Sequence, residues 1–276
     1  MQTCTEARPG RVALSWQEAS MTTSVSAGKA ASLQLDIRRV PMRQPLEWLS
    51  RGWEDLKQIG QAGLAHGALI AILGAVLLML GSTHLYLTAA AVTGYLLVGP
   101  VMTTGPCELA RRRAAHESLG FDESLQGLTR NPDGLMHFGG VLALIALSWF
   151  VLSAFLLQSV LNASVPSLAV ALWGGSTEVD AAQILGYVGC GAVLAGIVFV
   201  MSVVAVPAII DRHASASDAI RASLRATLLN LPAMLVWAVL IVALTVLGFV
   251  TLLVGMVFVA PLLGYATWHA YRDLVV

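Results

Sequence analysis

From Ala233 to His269 the chain carries no Asp, Glu, Lys or Arg. One helical crossing of a hydrocarbon layer about 30 Å thick takes roughly 20 residues, so this run is too long for a single span. Gly248, Thr251 and Gly255 offer a turn near its middle, and the run reads as two helices joined by a tight hairpin. Four further apolar blocks approach or exceed span length: Leu64–Leu80, Leu85–Cys107, Leu135–Gln158 and Ala182–Ile210. In lipid every backbone N–H and C=O must be satisfied within its own segment, so each block is expected to be a helix. Charged residues make up only 12% of the chain and hydrophobic ones 57%. So few charges would not cover the surface of a soluble domain of this length. The expected fold is therefore all-α: a polytopic membrane bundle of six transmembrane helices.

Orientation follows from the cations, because Lys- and Arg-bearing loops are retained in the cytoplasm. Arg38, Arg39, Arg43, Arg51 and Lys57 precede the first span. Arg111, Arg112, Arg113 and Arg130 follow the second, Arg212, Arg221 and Arg225 the fourth, and Arg272 the sixth. With Arg8, Arg11 and Lys29 near the start, these are all 16 basic residues. None lies in the three outer connections. Both termini are expected to be cytoplasmic, and the bilayer to be a bacterial inner membrane.

Residues 1–44 are rich in Ser, Thr, Ala and Arg, lack a signal-peptide core, and read as a disordered cytoplasmic tail. Met21 or Met42 would also serve as a start. Residues 45–276 then form the membrane domain. Within it a unit recurs at about 45–113, 122–213 and 217–273. Each unit has a short amphipathic helix, a span, a hairpin, and a proline-bearing second span that closes on basic residues. The three units run parallel. In the first short helix Leu46, Leu49, Trp53 and Leu56 share one face, with Arg51, Glu54 and Asp55 elsewhere. Its later counterparts are Ser124–Arg130 and Ser217–Asn230, the latter with Ile220, Leu224 and Leu228 at helical spacing. The middle unit differs by a long outer connection, Ser159–Ala181, whose Val165–Trp173 stretch reads as an interfacial helix.

From about Pro45 onward the chain resembles a proteobacterial integral membrane family, domain of unknown function number 2189. The likeness rests on Pro45-Leu46-Glu47-Trp48-Leu49, Gly52-Trp53-Glu54-Asp55-Leu56, Tyr95-Leu96-Leu97-Val98-Gly99-Pro100 and Arg130-Asn131-Pro132. It ends on the polar aromatic string Pro261-Leu262-Leu263-Gly264-Tyr265-Ala266-Thr267-Trp268-His269-Ala270-Tyr271-Arg272-Asp273. The resemblance implies an integral membrane protein. Some relatives carry a cytochrome c oxidase label, which implies a respiratory link.

Several kinds of residue are candidates for function. Pro100, Pro207 and Pro261 would kink the even spans, freeing the carbonyls of Leu96, Val203 and Val257. Gly63, Gly67, Ala71 and Ala75 form a small-residue stripe suited to close helix packing, either within the chain or against a second copy. His66, His137 and His269 lie at similar depths and are the candidates for haem ligation, although headgroup-level histidines need no cofactor. Glu108 with Arg111–Arg113, Asp211 with Arg212, and Asp273 with Arg272 could form a polar ring at the inner face, able to meet lipid phosphates or a partner's loop.

The spans carry no ionisable group at mid-membrane, which argues against proton relays and voltage sensing. No nucleophile–base pair or phosphate-binding loop appears, and Cys4, Cys107 and Cys190 form no metal or disulfide motif. With zero net charge and no basic tract, nucleic acid is not an expected partner. The expectation is a non-enzymatic accessory or assembly factor with no metal and no cofactor. Its partners would be the lipid bilayer and other membrane proteins or a second copy. A transporter of small solutes or lipids using the kinked helices is the alternative, and a haem-binding oxidase-associated subunit the third reading.

Overall fold

The computed structural model describes residues 35–81, 94–95, 99–161 and 181–276. The N-terminal stretch, much of the expected second span and the Val165–Trp173 segment lie outside the described residues. Ten helices are assigned bounds: α1 Gln44–Ile59, α2 Gln61–Gly81, α3 Thr104–Ala114, α4 Phe121–Arg130, α5 Pro132–Leu161, α6 Ala181–Ser202, α7 Ala205–Arg212, α8 Ala216–Leu229, α9 Leu231–Val250 and α10 Met256–Leu274. Among the described residues the only extended pairing is one antiparallel bridge, Ile37 to Val275.

Among the described residues four segments are long and apolar enough to cross a membrane: Gln61–Met79, Pro132–Ser153, Leu185–Arg212 and Leu231–Val250. The expected hairpin in the long apolar run is present, with α9 ending at Val250 and α10 starting at Met256. Thr251 makes the corner: its Oγ1 donates to the Leu247 and Gly248 carbonyls and accepts from the Gly255 N–H. Helix α10 is packed on several sides. Tyr265, Ala266, Ala270 and Leu274 are fully buried, and the helix touches α1, α2, α3, α7 and α9. Gly264 lets it approach α3, where a Cβ would stand 2.5 Å from Pro106, and the Gly264 carbonyl accepts from the Cys107 thiol at 3.3 Å.

In the short helices the apolar stripes read from the sequence are divided between buried and exposed positions. In α1 the buried face is Trp48, Gly52, Asp55, Leu56 and Ile59, whereas Leu46 and Trp53 are exposed. In α4 Ser124 and Gly127 are buried and Leu125 and Leu128 exposed; in α8 Ala219, Ala222, Ser223 and Ala226 are buried and Leu224 and Leu228 exposed. In α4 and α8 small residues face protein and large apolar ones face outward, the arrangement expected where the surroundings are hydrocarbon.

Each short helix packs on the end of the long segment before it. Helix α4 packs on α3, α8 on α6 and α7, and α1 on α10, the last helix of the chain. One small residue makes each contact. A Cβ on Gly52 would lie 2.9 Å from the Ala266 nitrogen and 3.1 Å from the Leu262 oxygen. On Gly127 it would lie 3.2 Å from the Thr104 oxygen and 3.0 Å from the Glu108 Cβ. In α8 the place is taken by Ser223, whose hydroxyl donates to the Val200 carbonyl at 2.7 Å and accepts from the Val204 N–H at 3.5 Å.

Residues 35–43, assigned from the sequence to a loose tail, belong to this compact unit, which begins at Leu35 rather than Pro45. The Arg38 N–H donates to the Leu274 carbonyl and the Val276 N–H to the Asp36 carbonyl. Asn230 holds the same strand, its Nδ2 donating to the Arg38 carbonyl and its Oδ1 accepting from the Val40 N–H. Polar composition reads as disorder in isolation, but these backbone groups find partners on the far end of the chain.

Candidate functional site

The last turns of α3, α7 and α10 meet α1 and α4 at one end of the bundle, and the charges gather there. Glu108, near the middle of α3, is 0% exposed. A carboxylate that deep is tolerable only with cations and hydrogen bonds around it. Arg111, one turn on, gives it a two-pronged pair at 2.9 and 2.8 Å. Arg112 donates at 3.0 Å, and Arg130 from the end of α4 brings its Nε to 2.9 Å. Arg111 also clamps Glu117 with two bonds at 3.0 and 2.8 Å. The Glu108 hydrogen bond, ahead of the burial that opposes it, raises the Arg111 pKa further, and Arg111 in turn holds Glu117 below the usual carboxylate range.

Asp55 forms a second node. It is 1% exposed and pairs with Arg113 from α3 and with His269 Nε2 from α10 at 2.9 Å. Asp273 is the third. The Arg51 guanidinium binds it at 2.6 and 3.2 Å, Trp48 Nε1 donates at 2.8 Å, and Gln44 Nε2 at 2.8 Å. Burial alone would raise the Asp273 pKa, but these donors outweigh it and hold the group below its ordinary value. The fourth node is Asp211 at the end of α7, which accepts from the Tyr271 hydroxyl at 2.7 Å and has Arg212 at 3.5 Å.

These nodes differ from the pairs read off the sequence. Glu108 does take Arg111 and Arg112, but Arg113 goes to Asp55, and Asp273 takes Arg51 in place of its neighbour Arg272. The links join all three parts of the chain: Arg51 and Asp55 to α10, Arg130 to α3, and Tyr271 to α7. Asp55, Arg130 and Ser223 escaped the sequence reading because their partners lie far away in the chain. The available signal was Trp48, Gly52, Asp55 and Ile59 at positions i, i+4, i+7 and i+11, which puts Asp55 on the face carrying the glycine.

The three histidines have different surroundings. His66 is buried in α2, with Nδ1 3.2 Å from the Ala62 carbonyl, Nε2 3.3 Å from Ser124 Oγ, and the Phe121 ring 4.9 Å away. His137 is exposed and bonds the Asp133 carbonyl at 2.7 Å. His269 is committed to Asp55. Among the described residues no group of three or more His, Cys, Asp or Glu is placed to hold a metal ion.

On the small-residue stripe, Gly63 meets Tyr265, and Gly67 meets the Val257 backbone. Ala71 is half-buried while Ala75 is exposed, and Gly74 approaches Leu253 instead. A period of four drifts off the 3.6-residue helix face, so the contact passes from position 75 to 74.

The prolines also differ among themselves. The Leu185–Arg212 segment breaks at Val203–Val204, with Pro207 third in the restarted helix α7. A like interruption falls at Thr103, and there Pro106 is third in α3; Pro100 precedes the break. Proline suits a first turn, where its missing N–H has no helical acceptor. Pro261 lies inside α10, which runs through it unbroken. The Pro100 partner at Leu96 lies outside the described residues.

The long apolar helices and their charged end define a polytopic integral membrane protein. In keeping with that, residues 87–211 match the family described as "Predicted integral membrane protein (DUF2189)". Of the stretches that carry the resemblance, 95–100 and 130–132 fall within the match; 45–56 and 261–273 fall outside it. No match is found among the curated proteins or the solved structures.

Proposed function

We propose that the protein is a six-span membrane component of the bacterial inner membrane. Its charged end and both termini face the cytoplasm, and it works without catalysis as an accessory or assembly factor for other membrane proteins. The six crossings are the four apolar segments, the 85–107 segment and residues 256–269 of α10. In support of the even count, α2, α5 and α9 leave the charged end beside Gly60, Asn131 and Asn230, and α3, α7 and α10 return to it.

The threefold repeat is part of the proposal, and the cyclic packing of α1 on α10, α4 on α3 and α8 on α7 supports it. So do two matching asparagines. Asn131 at the start of α5 donates to the Ala214 carbonyl, just before α8, and Asn230 at the start of α9 donates to the Arg38 carbonyl, just before α1. In each case the asparagine at one unit's first span ties down the approach to the next unit's short helix.

The observation that carries the accessory reading is how the break in the fourth span is filled. Pro207 would free polar backbone for a solute, but Val203 to Ile210 are all buried and Ser223, itself fully buried, stitches Val200 to Val204. A transport path through that kink needs an open polar cavity in its place. The experiment is gentle solubilisation of tagged full-length protein from its native membrane. Stoichiometric recovery of defined membrane partners supports the reading. Substrate-dependent uptake in proteoliposomes with no partner recovered would replace it with the transporter, and a Soret band would replace it with the haem-binding subunit.

A further inference from the structure

Asn230 joins separate pieces of the chain at the charged end. Its Nδ2 donates to the Arg38 carbonyl at 3.1 Å and to the Ala226 carbonyl at 3.0 Å, and its Oδ1 accepts from the Val40 N–H. The Arg38 N–H donates in turn to the Leu274 carbonyl. The strand before α1, the end of α8 and the end of α10 are thereby held side by side, and each carries arginine. The strand has Arg38 and Arg39, α8 has Arg225 next to Ala226, and α10 has Arg272.

All four arginines are exposed, and among the described residues none of their side chains has an ion pair or a hydrogen bond. The nearby acids are already paired. Asp273 holds Arg51, Asp211 holds Arg212 and the Tyr271 hydroxyl, and Asp218 holds Arg221. Asp36, exposed on the same strand, offsets part of the charge. The seam between the first and last parts of the chain is therefore a cation cluster, in contrast to the neutralised nodes around Glu108 and Asp55.

Apolar surface begins one residue beyond Asn230. Leu231, Leu235, Val239, Val242 and Val246 are all exposed. Their spacing of three or four places them on one face of α9, a segment long enough to cross a membrane. Guanidinium groups stay charged and grip phosphate oxygens through paired N–H bonds. A cation cluster at the head of an apolar lane matches the two parts of a phospholipid.

We propose that this seam binds an anionic phospholipid, its phosphate among Arg38, Arg39, Arg225 and Arg272 and an acyl chain along the exposed face of α9. Phosphatidylcholine fits less well, since its choline brings a cation to a cation cluster. An acidic protein segment would meet the arginines but leave the lane on α9 bare. The proposal needs only that α9 lies in lipid, not the accessory role or the side on which the charged end faces.

The test places full-length protein in phosphatidylcholine nanodiscs that carry a trace of lipid with a photoreactive diazirine in its acyl chain. One probe is phosphatidylglycerol and the other phosphatidylcholine. The phosphatidylglycerol probe should label peptides from α9 about tenfold more, the worth of one or two cations at a membrane surface. Arg38→Gln/Arg39→Gln/Arg225→Gln, all at exposed side chains, should bring the two probes level. Arg225→Gln alone should cut the preference severalfold, whereas Lys57→Gln, at the far end of α1, should leave it unchanged. Equal labelling of the unaltered protein overturns the proposal and leaves the arginines to an acidic protein segment. A preference that survives the triple variant overturns it, and so does an equal loss in Arg225→Gln and Lys57→Gln, which would mark diffuse surface charge in place of a site.

Discussion

A Cβ on Gly67 would stand 2.0 Å from the carbonyl oxygen of Val257, so α2 and α10 touch backbone to backbone at this point. Val257 lies four residues before Pro261, whose ring nitrogen has no hydrogen to offer that carbonyl. The glycine therefore covers a carbonyl that Pro261 leaves without its usual helical partner. Gly67→Ala should destabilise the protein by about 1–3 kcal/mol, because neither backbone can retreat without parting the helices. Ile72→Leu, on the exposed side of α2, should be nearly silent. Thermal unfolding in detergent checks both.

Glu108 pairs with Arg111, Arg112 and Arg130 where no solvent reaches it. Glu108→Gln takes the paired carboxylate from Arg130 and leaves Arg111 and Arg112 with Glu117 alone, and a cost of about 3–5 kcal/mol is expected. The double variant Glu108→Gln/Arg130→Gln should recover part of that loss. Denaturant or thermal unfolding measures the coupling, and strict additivity would mean the two do not interact.

Ser223 should matter far more than a serine on a short amphipathic helix would suggest. Ser223→Ala removes a donor to Val200 and an acceptor for Val204 at the break, with an expected cost of about 1–3 kcal/mol. Ser217→Ala, on the exposed start of the same helix, should cost less than half as much.

Acid should loosen the closure between the first and last helices. The Asp273 pKa is held below its ordinary value, so its stabilising contribution is complete above the unfolded aspartate value of about 3.9 and disappears as pH falls through the folded value. Asp273→Asn should lower stability at pH 7 and flatten the stability profile below about pH 4. Thermal unfolding scanned from pH 7 to pH 3 for both proteins shows whether the profiles converge.

How much of this could be read from the sequence depended on how local each cause was. Spans such as Pro132–Ser153 announce themselves because hydrocarbon acts on every residue of the run. The turn at Thr251 was equally legible, since the run was too long for one crossing. The lie of α1 was not. Leu46 and Trp53 look like a core stripe by soluble-protein logic, but both are exposed, and Asp55 turns inward because Arg113 and His269 await it. Pairings of that kind are set by tertiary packing between residues more than fifty positions apart. Pro106, third in the helix that restarts after Thr103, escaped the sequence reading because only the restart sets it apart from any other proline. Fourfold spacing located Gly63 and Gly67 but drifted off the face by Ala75.

The central claim is that all three helix pairs leave and return to one charged, cytoplasmic face. Single cysteines at Glu117, Ser217, Leu252 and Val276, in a chain whose three native cysteines are serine, test it most directly with a membrane-impermeant thiol reagent. Leu252→Cys should label in spheroplasts, and Glu117→Cys, Ser217→Cys and Val276→Cys only after lysis. Labelling of Ser217→Cys or Val276→Cys from the same side as Leu252→Cys would contradict the account.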